Sequence, residues 1–187
     1  MKPEHEKIYH ANIEDFGLLS PAQLMGLTLW AEARGESLAG KIAVATVIIN
    51  RVNHRAWDGS TIHEVCLWPM QFSCFNPDDR QRPRMAAFAA DMDAAIEKDD
   101  RLKDCVILAD GIIRGIAQMD SNILMSRCCQ YLTTAAKENV NWWKKMRFIK
   151  KIGEHQFYSD LRGDDDFEDN RGRDHDIHGS SYNRLGS

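Results

Sequence analysis

The segment from Leu38 to Val52 constrains the fold of this chain more than any other. It reads LAGKIAVATVIINRV and is apolar almost all round, which is typical of a helix buried at the centre of a domain. It is shorter than the roughly 20 residues that a membrane span needs. Its β-branched residues also permit a buried strand, but its length favours a helix. We therefore predict a core helix here.

A second helix is predicted immediately before it. Ser20 is a suitable N-cap residue, and Pro21 suits the first helical position. Apolar residues recur at helical spacing as far as Ala31, and Gly35 stands where helices commonly end in a left-handed cap. Glu32 therefore falls in the last turn of this helix.

Two features of this position favour the protonated form of Glu32. The negative end of a helix dipole disfavours an ionised carboxylate by up to about 1 kcal/mol. The neighbouring Trp30 indicates apolar surroundings, which raise a carboxyl pKa by desolvation. A carboxyl that stays protonated near neutral pH is suited to donate a proton in catalysis. The alternative is a surface glutamate paired with Arg34 or Arg51.

Composition limits the classes of function. A chain of 187 residues fits one domain, and its net charge of -4 gives no case for nucleic acid as a partner. The densest basic stretch, Trp142 to Lys151, is predicted to be an amphipathic segment with a solvated basic face. The charged N-terminus and the lack of a long apolar run predict synthesis in the cytoplasm without a signal peptide and no membrane insertion.

The motifs leave a carboxylate mechanism as the remaining chemistry. There is no G-x-S-x-G turn for a serine nucleophile, no H-E-x-x-H pair for zinc and no glycine-rich phosphate loop. The five cysteines match no zinc module and are predicted to be reduced and mostly buried, with one disulfide formed after export as the alternative. His175 and His178 lie in a polar stretch where histidines are usually solvated. We predict neither a metal nor a cofactor.

The remaining patterns divide the chain into three parts. Further helices are predicted over Thr61–Leu67, Pro83–Asp99 and Lys103–Gly115, and the segments RCCQYLTT and GEHQFYSD are predicted to pair as an antiparallel ribbon. The last residues are polar and poor in aliphatic side chains, as in disordered tails. The predicted parts are an N-terminal extension over 1–19, a domain over 20–160 and a disordered tail over 161–187.

Three sequence motifs follow one another along the predicted domain. They are AEARGESLAGKIAVATVIINRV, TIHEVCLWPMQFSCFN and IKKIGEHQFYSD. In this order, from Ser20 to Tyr158, they resemble the spore cortex-lytic, SleB-like family of cell wall hydrolases. Where relatives carry a Thr-His-Tyr segment, this chain has Cys129, Gln130 and Tyr131.

The resemblance implies a fold and an activity. The fold would be α+β and predominantly α-helical, a compact lysozyme-like or lytic transglycosylase-like domain with a small antiparallel β element. The activity would be cleavage of peptidoglycan between N-acetylmuramic acid and N-acetylglucosamine, with Glu32 as the catalytic acid. One carboxyl is enough if the C6 hydroxyl of the sugar attacks, so a lytic transglycosylase is preferred to a muramidase. Glu36 is the candidate second carboxylate, or a residue that supports the turn.

The second motif supplies candidate substrate-binding residues. Gln71 and Ser73 are predicted to hydrogen-bond the N-acetyl and hydroxyl groups of the sugars while Phe72 packs beneath them. The alternative is that the three residues stabilise a loop.

Three further candidates lie near the end of the predicted domain. Tyr131 is predicted to orient Glu32 or to stack on a sugar ring. Gln130 stands near the histidine position of relatives, but it carries no proton charge at neutral pH. His155 matches the closing histidine of the family, with bracing of the sheet as its alternative role.

Two other functions stay open. Some relatives are assigned as amidases that cut between muramic acid and the stem peptide, and the lack of a zinc motif weighs against that activity. A non-catalytic wall-binding or structural protein would be favoured if Glu32 were buried and fully paired away from any cleft. The predicted partner is the peptidoglycan glycan strand at the bacterial cell wall. The single-domain architecture fits a bacteriophage or prophage lysin, delivered by a holin or as a virion component.

Overall fold

The chain folds into helices and one small sheet. The computed structural model describes residues 2–54 and 59–160, which form eight α-helices and a three-stranded sheet. The predicted class, α+β and predominantly α-helical, is confirmed. The helices are α1 (Pro3–Phe16), α2 (Pro21–Ala33), α3 (Leu38–His54), α4 (Ile62–Leu67), α5 (Arg82–Ala90), α6 (Met92–Lys98), α7 (Asp100–Ile113) and α8 (Ser121–Met125). The strands are β1 (Gln130–Thr133), β2 (Met146–Ile152) and β3 (His155–Asp160).

The apolar segment is the core helix α3, which confirms the prediction of a helix over a strand. It packs against α2, α4, α7 and α8, and Val44, Val47 and Ile48 are fully buried. Burial of each such side chain contributes roughly 1.5–3 kcal/mol. Helix α2 approaches α7 to backbone contact at Gly26, where a Cβ atom would lie 2.6 Å from the Cα of Val106. This packing fixes α2 against the core.

Helix α2 begins as predicted and ends differently. The hydroxyl of Ser20 accepts from the backbone N–H of Gln23, whose side chain accepts from the N–H of Ser20, so the two form a capping box. Gly35 does not adopt a left-handed conformation, and the predicted left-handed cap is wrong. The guanidinium of Arg34 instead donates to two carbonyls of the last turn, which satisfies the helix end without a glycine cap.

The predicted helix over Pro83–Asp99 is two helices, α5 and α6. Asp91 interrupts it, because its carboxylate accepts from a backbone N–H of the following turn at 3.2 Å and caps α6. Asp99 caps α7 in the same way at 3.0 Å, so that helix begins at Asp100 rather than at Lys103. Aspartate side chains compete for backbone N–H groups and favour helix caps over helix interiors.

The sheet is antiparallel, with the strand order β1-β3-β2. The predicted pairing of RCCQYLTT with GEHQFYSD is confirmed as β1 with β3. The third strand, β2, was not predicted; it comes from the basic segment Trp142–Lys151, whose first residues form a 3₁₀ turn. The chain turns from β2 into β3 at Gly153, whose φ of 56° is a left-handed conformation that glycine adopts without strain.

The segment 1–19 contains α1, which packs against α4 and α5. Asn12 is buried there and donates to the carbonyl of Leu67 at 2.9 Å. Helix α4 forms where it was predicted, with Thr61 as its N-cap. The division of the chain at residues 20 and 160 stays a prediction, and the predicted tail over 161–187 lies outside the described residues.

Two predictions about the whole chain can be compared with this fold. All five cysteines are in the thiol form and four of them are buried, which agrees with the prediction of reduced, mostly buried cysteines. Within residues 2–54 and 59–160, no helix combines the length and the apolar character needed to cross a membrane.

Candidate active site

The last turn of α2 places Glu32 in a cleft of about 330 Å³. The cleft is bounded by α2, the connection from α2 to α3, one arginine of α7 and the adjoining ends of β1 and β3. Its lining residues are Ala31, Glu32, Ala33, Arg34, Gly35, Glu36, Arg101, Thr133, Glu154 and His155. Three of the predicted site residues, Glu32, Glu36 and His155, are thereby brought together.

The carboxyl group of Glu32 is surrounded by protein on the side away from the cleft. Burial raises its pKa above the ordinary value of 4.5. Two hydrogen bonds, from the hydroxyl of Tyr131 and from the thiol of Cys74, and the positive charge of Arg51 act in the opposite direction, while Asp79 adds to the increase. The direction agrees with the sequence prediction, and its largest cause is desolvation.

Tyr131 is the direct partner of Glu32. Its hydroxyl donates to Oε2 of Glu32 at 3.0 Å, and its ring makes an edge contact with the ring of His155 at 5.2 Å and a tilted contact with Phe157 at 5.8 Å. Burial holds the pKa of Tyr131 well above its ordinary value, so the hydroxyl remains a donor. This geometry corresponds to the first of its two predicted roles, orientation of Glu32.

Glu36 is held by the turn between β2 and β3. Its Oε1 accepts from the backbone N–H of Glu154 at 3.3 Å. A Cβ atom at Gly153 would lie 1.7 Å from Oε2 of Glu36, so this turn approaches the carboxylate to a distance that only glycine permits. A Cβ at Gly40 would lie 2.8 Å from the Cβ of Glu36 on the other side. The side chain of Glu36 is therefore packed into a fixed position.

His155 lies at the start of β3 with 3% of its surface exposed. Its Nδ1 is 3.7 Å from Oε1 of Glu36, beyond hydrogen-bond distance, and has no hydrogen-bond partner in the described structure. Burial lowers the pKa of His155, although Glu36 and Glu154 act against this effect. Burial therefore favours the neutral form of the imidazole, which lies between Tyr131 and Glu36.

The substrate-binding residues predicted from the second motif lie in different parts of the structure. Phe72 is buried, and the guanidinium of Arg51 lies 4.9 Å from the centre of its ring. Ser73 is exposed and lines a second cleft of about 510 Å³, together with Asn76, Asp78, Asp79, Arg80 and Gln81. Gln71 and Gln130 are partly exposed and line neither of these two clefts. Sugar binding by Gln71, Phe72, Ser73 and Gln130 stays a prediction.

Arg51 was considered in the sequence only as a surface partner of Glu32, and that interpretation is wrong. Arg51 is 3% exposed, and its Nε donates to the carbonyl of Cys129 at 2.8 Å. Its charge lowers the pKa of both Glu32 and Tyr131 from within the core. Its position in the sequence does not indicate burial, because the groups that enclose it, Phe72 and the carbonyl of Cys129, come from other segments.

Cys74 and Asp79 were also missed. Cys74 is buried and contacts Glu32 through its thiol, whereas Asp79 accepts from the backbone N–H of Gln81 at 2.8 Å. Neither residue can be identified from its sequence neighbours, because the connection between α4 and α5 brings each of them near Glu32 only in the folded chain. Across residues 2–54 and 59–160, no three His, Cys, Asp or Glu side chains are grouped so as to hold a metal ion.

Comparisons with known proteins agree with this fold. Residues 35–158 match the family model described as Cell Wall Hydrolase. The catalytic domain of the germination-specific lytic transglycosylase SleB from Bacillus anthracis is similar in structure, with a TM-score of 0.53 and 23% identity over 74% of this chain and 93% of that one. The catalytic domain of the Bacillus cereus SleB protein is similar with a TM-score of 0.50 and 23% identity, over 78% of this chain and 96% of that one.

No curated protein sequence matches the chain significantly. The family match covers most of the chain, including Glu36, Tyr131 and His155, and begins three residues after Glu32. The chain belongs to the cell wall hydrolase family and has the fold of SleB catalytic domains.

Proposed function

We propose that this chain cleaves the β-1,4 bond between N-acetylmuramic acid and N-acetylglucosamine in peptidoglycan, with Glu32 as its single acid and base. The observation that carries the proposal is the environment of Glu32. Its carboxyl group opens into a cleft, while burial raises its pKa and the hydroxyl of Tyr131 fixes its orientation. A carboxyl with these properties is suited to protonate a glycosidic oxygen.

The proposed reaction uses the same carboxyl twice. Protonated Glu32 donates its proton to the glycosidic oxygen as the bond from C1 of muramic acid to that oxygen breaks. The resulting carboxylate then accepts the proton of the C6 hydroxyl, whose oxygen forms a new bond to C1 and leaves a 1,6-anhydromuramyl end. The hydroxyl of Tyr131 and the thiol of Cys74 stabilise the carboxylate between the two steps.

The positions of the neighbouring carboxylates favour this route over hydrolysis. A hydrolytic mechanism needs a second carboxylate that holds a water or attacks the sugar. Glu36 is engaged by the N–H of Glu154 and packed against Gly153, and Asp79 is engaged by the N–H of Gln81. Both are occupied in holding backbone turns. Glu154 also lines the cleft and is the carboxylate that a hydrolytic route would have to use; we propose the sugar's own hydroxyl as the nucleophile.

Digestion of purified peptidoglycan followed by mass spectrometry tests the proposal. We expect muropeptides with 1,6-anhydromuramyl ends from the wild-type chain and release slowed about 10²- to 10⁴-fold in a folded Glu32→Gln variant. Reducing muramic acid ends would show hydrolysis instead. Free stem peptides would show an amidase, and no product at all from wild type would favour a non-catalytic wall-binding protein. An active Glu32→Gln variant would overturn the assignment of the acid.

We also propose that the chain acts at the bacterial cell wall after delivery by a holin or as a virion component. The match of residues 35–158 to the cell wall hydrolase family supports the site of action, and a holin or a virion is the route that a bacteriophage lysin would use. Expression in a bacterium with and without a holin tests this, because lysis should require both the holin and Glu32. Lysis without the holin would contradict holin-dependent delivery.

A further inference from the structure

The two faces of the sheet differ in what they contact. Side chains alternate between the faces of a strand, and Tyr131 lies with His155 on the face that meets Glu32. Gln156 and Tyr158 lie on the opposite face. The function proposed for Glu32 uses only the first face, so the opposite face is open to a second role.

The opposite face carries a cluster of aromatic rings around Tyr158. The centre of its ring lies 5.7 Å from that of Phe148, 5.8 Å from that of Trp142 and 6.4 Å from that of Trp143. Tyr158 is buried, whereas 53% of the surface of Phe148 is exposed. The indole N–H of Trp143 donates to the carbonyl of Val140 at 3.0 Å, which fixes that ring. The cluster therefore forms a packed surface that meets solvent.

Three lysines lie on this face. The Nζ of Lys137 is 3.9 Å from the centre of the Trp143 ring and donates to the side chain of Gln156 at 3.1 Å. The Nζ of Lys144 is 5.8 Å from the centre of the same ring, and both distances fall within the range of cation–π attraction. Lys151 stands opposite Gln156 in the β2–β3 pairing, so their side chains share a face. Several ammonium groups thus surround one aromatic cluster.

The positive charge of this region is not balanced by nearby acids. Residues 137–151 contain six basic side chains and one acidic side chain, although the whole chain has a net charge of -4. Lys150 pairs with Asp120, but the three lysines of the face form no ion pair among the residues that the structure describes. A local positive surface on an acidic protein favours a negatively charged partner.

The arrangement of the lysines favours a polymer with repeated phosphate groups. Lysine binds phosphate as a compact point charge. Lys144 and Lys151 lie near opposite ends of β2, roughly 15 Å apart for a strand of this length, which is farther than one small anion spans. A membrane surface is less suited, because the rings of Trp142 and Trp143 pack against Tyr158 rather than project outward.

We propose that this basic aromatic face, defined by Lys137, Trp143, Lys144 and Lys151, binds the polyol phosphate polymers attached to bacterial cell walls. Membership of the cell wall hydrolase family supplies the location of the partner. Because the face and Glu32 lie on opposite sides of the sheet, the polymer can stay bound while a glycan strand is cut. The face holds the protein on the wall, whichever bond the enzyme cleaves.

Binding to purified cell walls tests the proposal. The probes are walls that carry a polyol phosphate polymer and the same walls after acid hydrolysis has removed it. The variant is Lys144→Gln with Lys151→Gln, and the matched control is Lys7→Gln with Lys98→Gln, two exposed lysines on α1 and α6. All proteins carry Glu32→Gln, so that the walls stay intact. We expect the variant to bind polymer-bearing walls about threefold or more weakly than the parent, with the control unchanged.

The parent protein should also lose affinity when the polymer is removed and when the salt concentration rises, because salt screens exposed charges. Circular dichroism establishes that the variants fold. Equal binding to both kinds of wall, an unchanged affinity in the variant or an equal loss in the control would overturn the proposal. Tighter binding to vesicles of anionic lipid, or to a polynucleotide of matched phosphate content, would overturn it in favour of that partner.

Activity measurements separate this inference from the function proposed for Glu32. With Glu32 intact, the variant with Lys144→Gln and Lys151→Gln should keep its kcat/KM on soluble glycan strands and lose activity on polymer-bearing walls. An equal loss on both substrates would place the lysines in cleavage rather than in attachment and would overturn the proposal. If no substrate is cut, the binding measurements still decide the role of the face.

Discussion

Two glutamates four positions apart in the sequence line the same cleft but lie in contrasting surroundings. Glu32 receives hydrogen bonds from the side chains of Tyr131 and Cys74 and opens into a cleft. Glu36 receives a backbone N–H from the turn between β2 and β3 and lies against Gly153. Burial raises the pKa of Glu32, whereas the carboxylate of Glu36 holds a backbone turn. The environment, and not the residue type, separates the two proposed roles.

The largest expected effect is the loss of activity in Glu32→Gln. Glutamine keeps an acceptor for the hydroxyl of Tyr131 but has no proton to donate, so we expect the cleavage rate to fall about 10²- to 10⁴-fold. The measurement is release of muropeptides from peptidoglycan, with circular dichroism to establish that the variant folds. Glu36→Gln is the matched variant and should retain most of the activity. Comparable losses in both variants would remove the distinction between the two regions.

Tyr131→Phe should give the next largest effect. It removes a hydrogen bond to the ionised form of Glu32, a contact of about 1.5–3 kcal/mol, which corresponds to a loss of about ten- to a hundredfold in rate. It should also change the pH profile. The acid must be protonated, so activity falls as pH rises through the pKa of Glu32.

The direction of that pH change follows from the hydrogen bond. The bond from Tyr131 lowers the pKa of Glu32, so its removal raises the pKa further. The alkaline limb of the kcat profile should therefore move to higher pH in Tyr131→Phe. An unmoved limb, or one displaced to lower pH, would show that the limb reports another group.

Gly153→Ala tests the region around Glu36 through stability. The new methyl group would meet Oε2 of Glu36, and alanine at a φ of 56° is itself strained, so we expect a loss of about 2 kcal/mol in the free energy of unfolding. Gly35→Ala is the control, since a Cβ there has nothing within 4 Å. Chemical denaturation measures both variants. In a Glu36→Ala background, Gly153→Ala should cost less free energy of unfolding, because the carboxylate that the new methyl group would meet is gone. If the effects of the two substitutions simply added, the two residues would not be in contact.

The parts of this fold that were predictable are those with local signals. Ser20 and Pro21 mark the start of α2, and the apolar run of α3 identifies the core, because caps and periodicity act over a few residues. The interruption at Asp91 shows the limit of that reasoning. Periodicity predicted one continuous helix there, but the carboxylate of Asp91 caps α6 and divides it in two.

The candidate site was predictable only in part, for the same reason. The position of Glu32 at a helix end followed from its own helix, but the approach of Glu154 to Glu36 joins residues 118 positions apart. Burial of Arg51 likewise depends on Phe72 and on the carbonyl of Cys129, which different segments supply. Sequence patterns indicate which residues are candidates, whereas long-range packing decides which of them face a cleft.

The smallest expected effect concerns His155, which lies between the two regions. Its folded pKa is lowered by burial below the ordinary value of 6.5. Between the two pKa values the unfolded chain binds more protons, so the contribution of neutral His155 to stability is complete above pH 6.5 and is lost as pH falls. Chemical denaturation should thus show that wild type loses stability relative to His155→Gln as the pH falls from 7.5 to 5.5. The opposite trend would mean that protonated His155 forms an ion pair with Glu36 across their 3.7 Å separation, and Glu36 would then be a partner of the imidazole rather than a support for the turn alone.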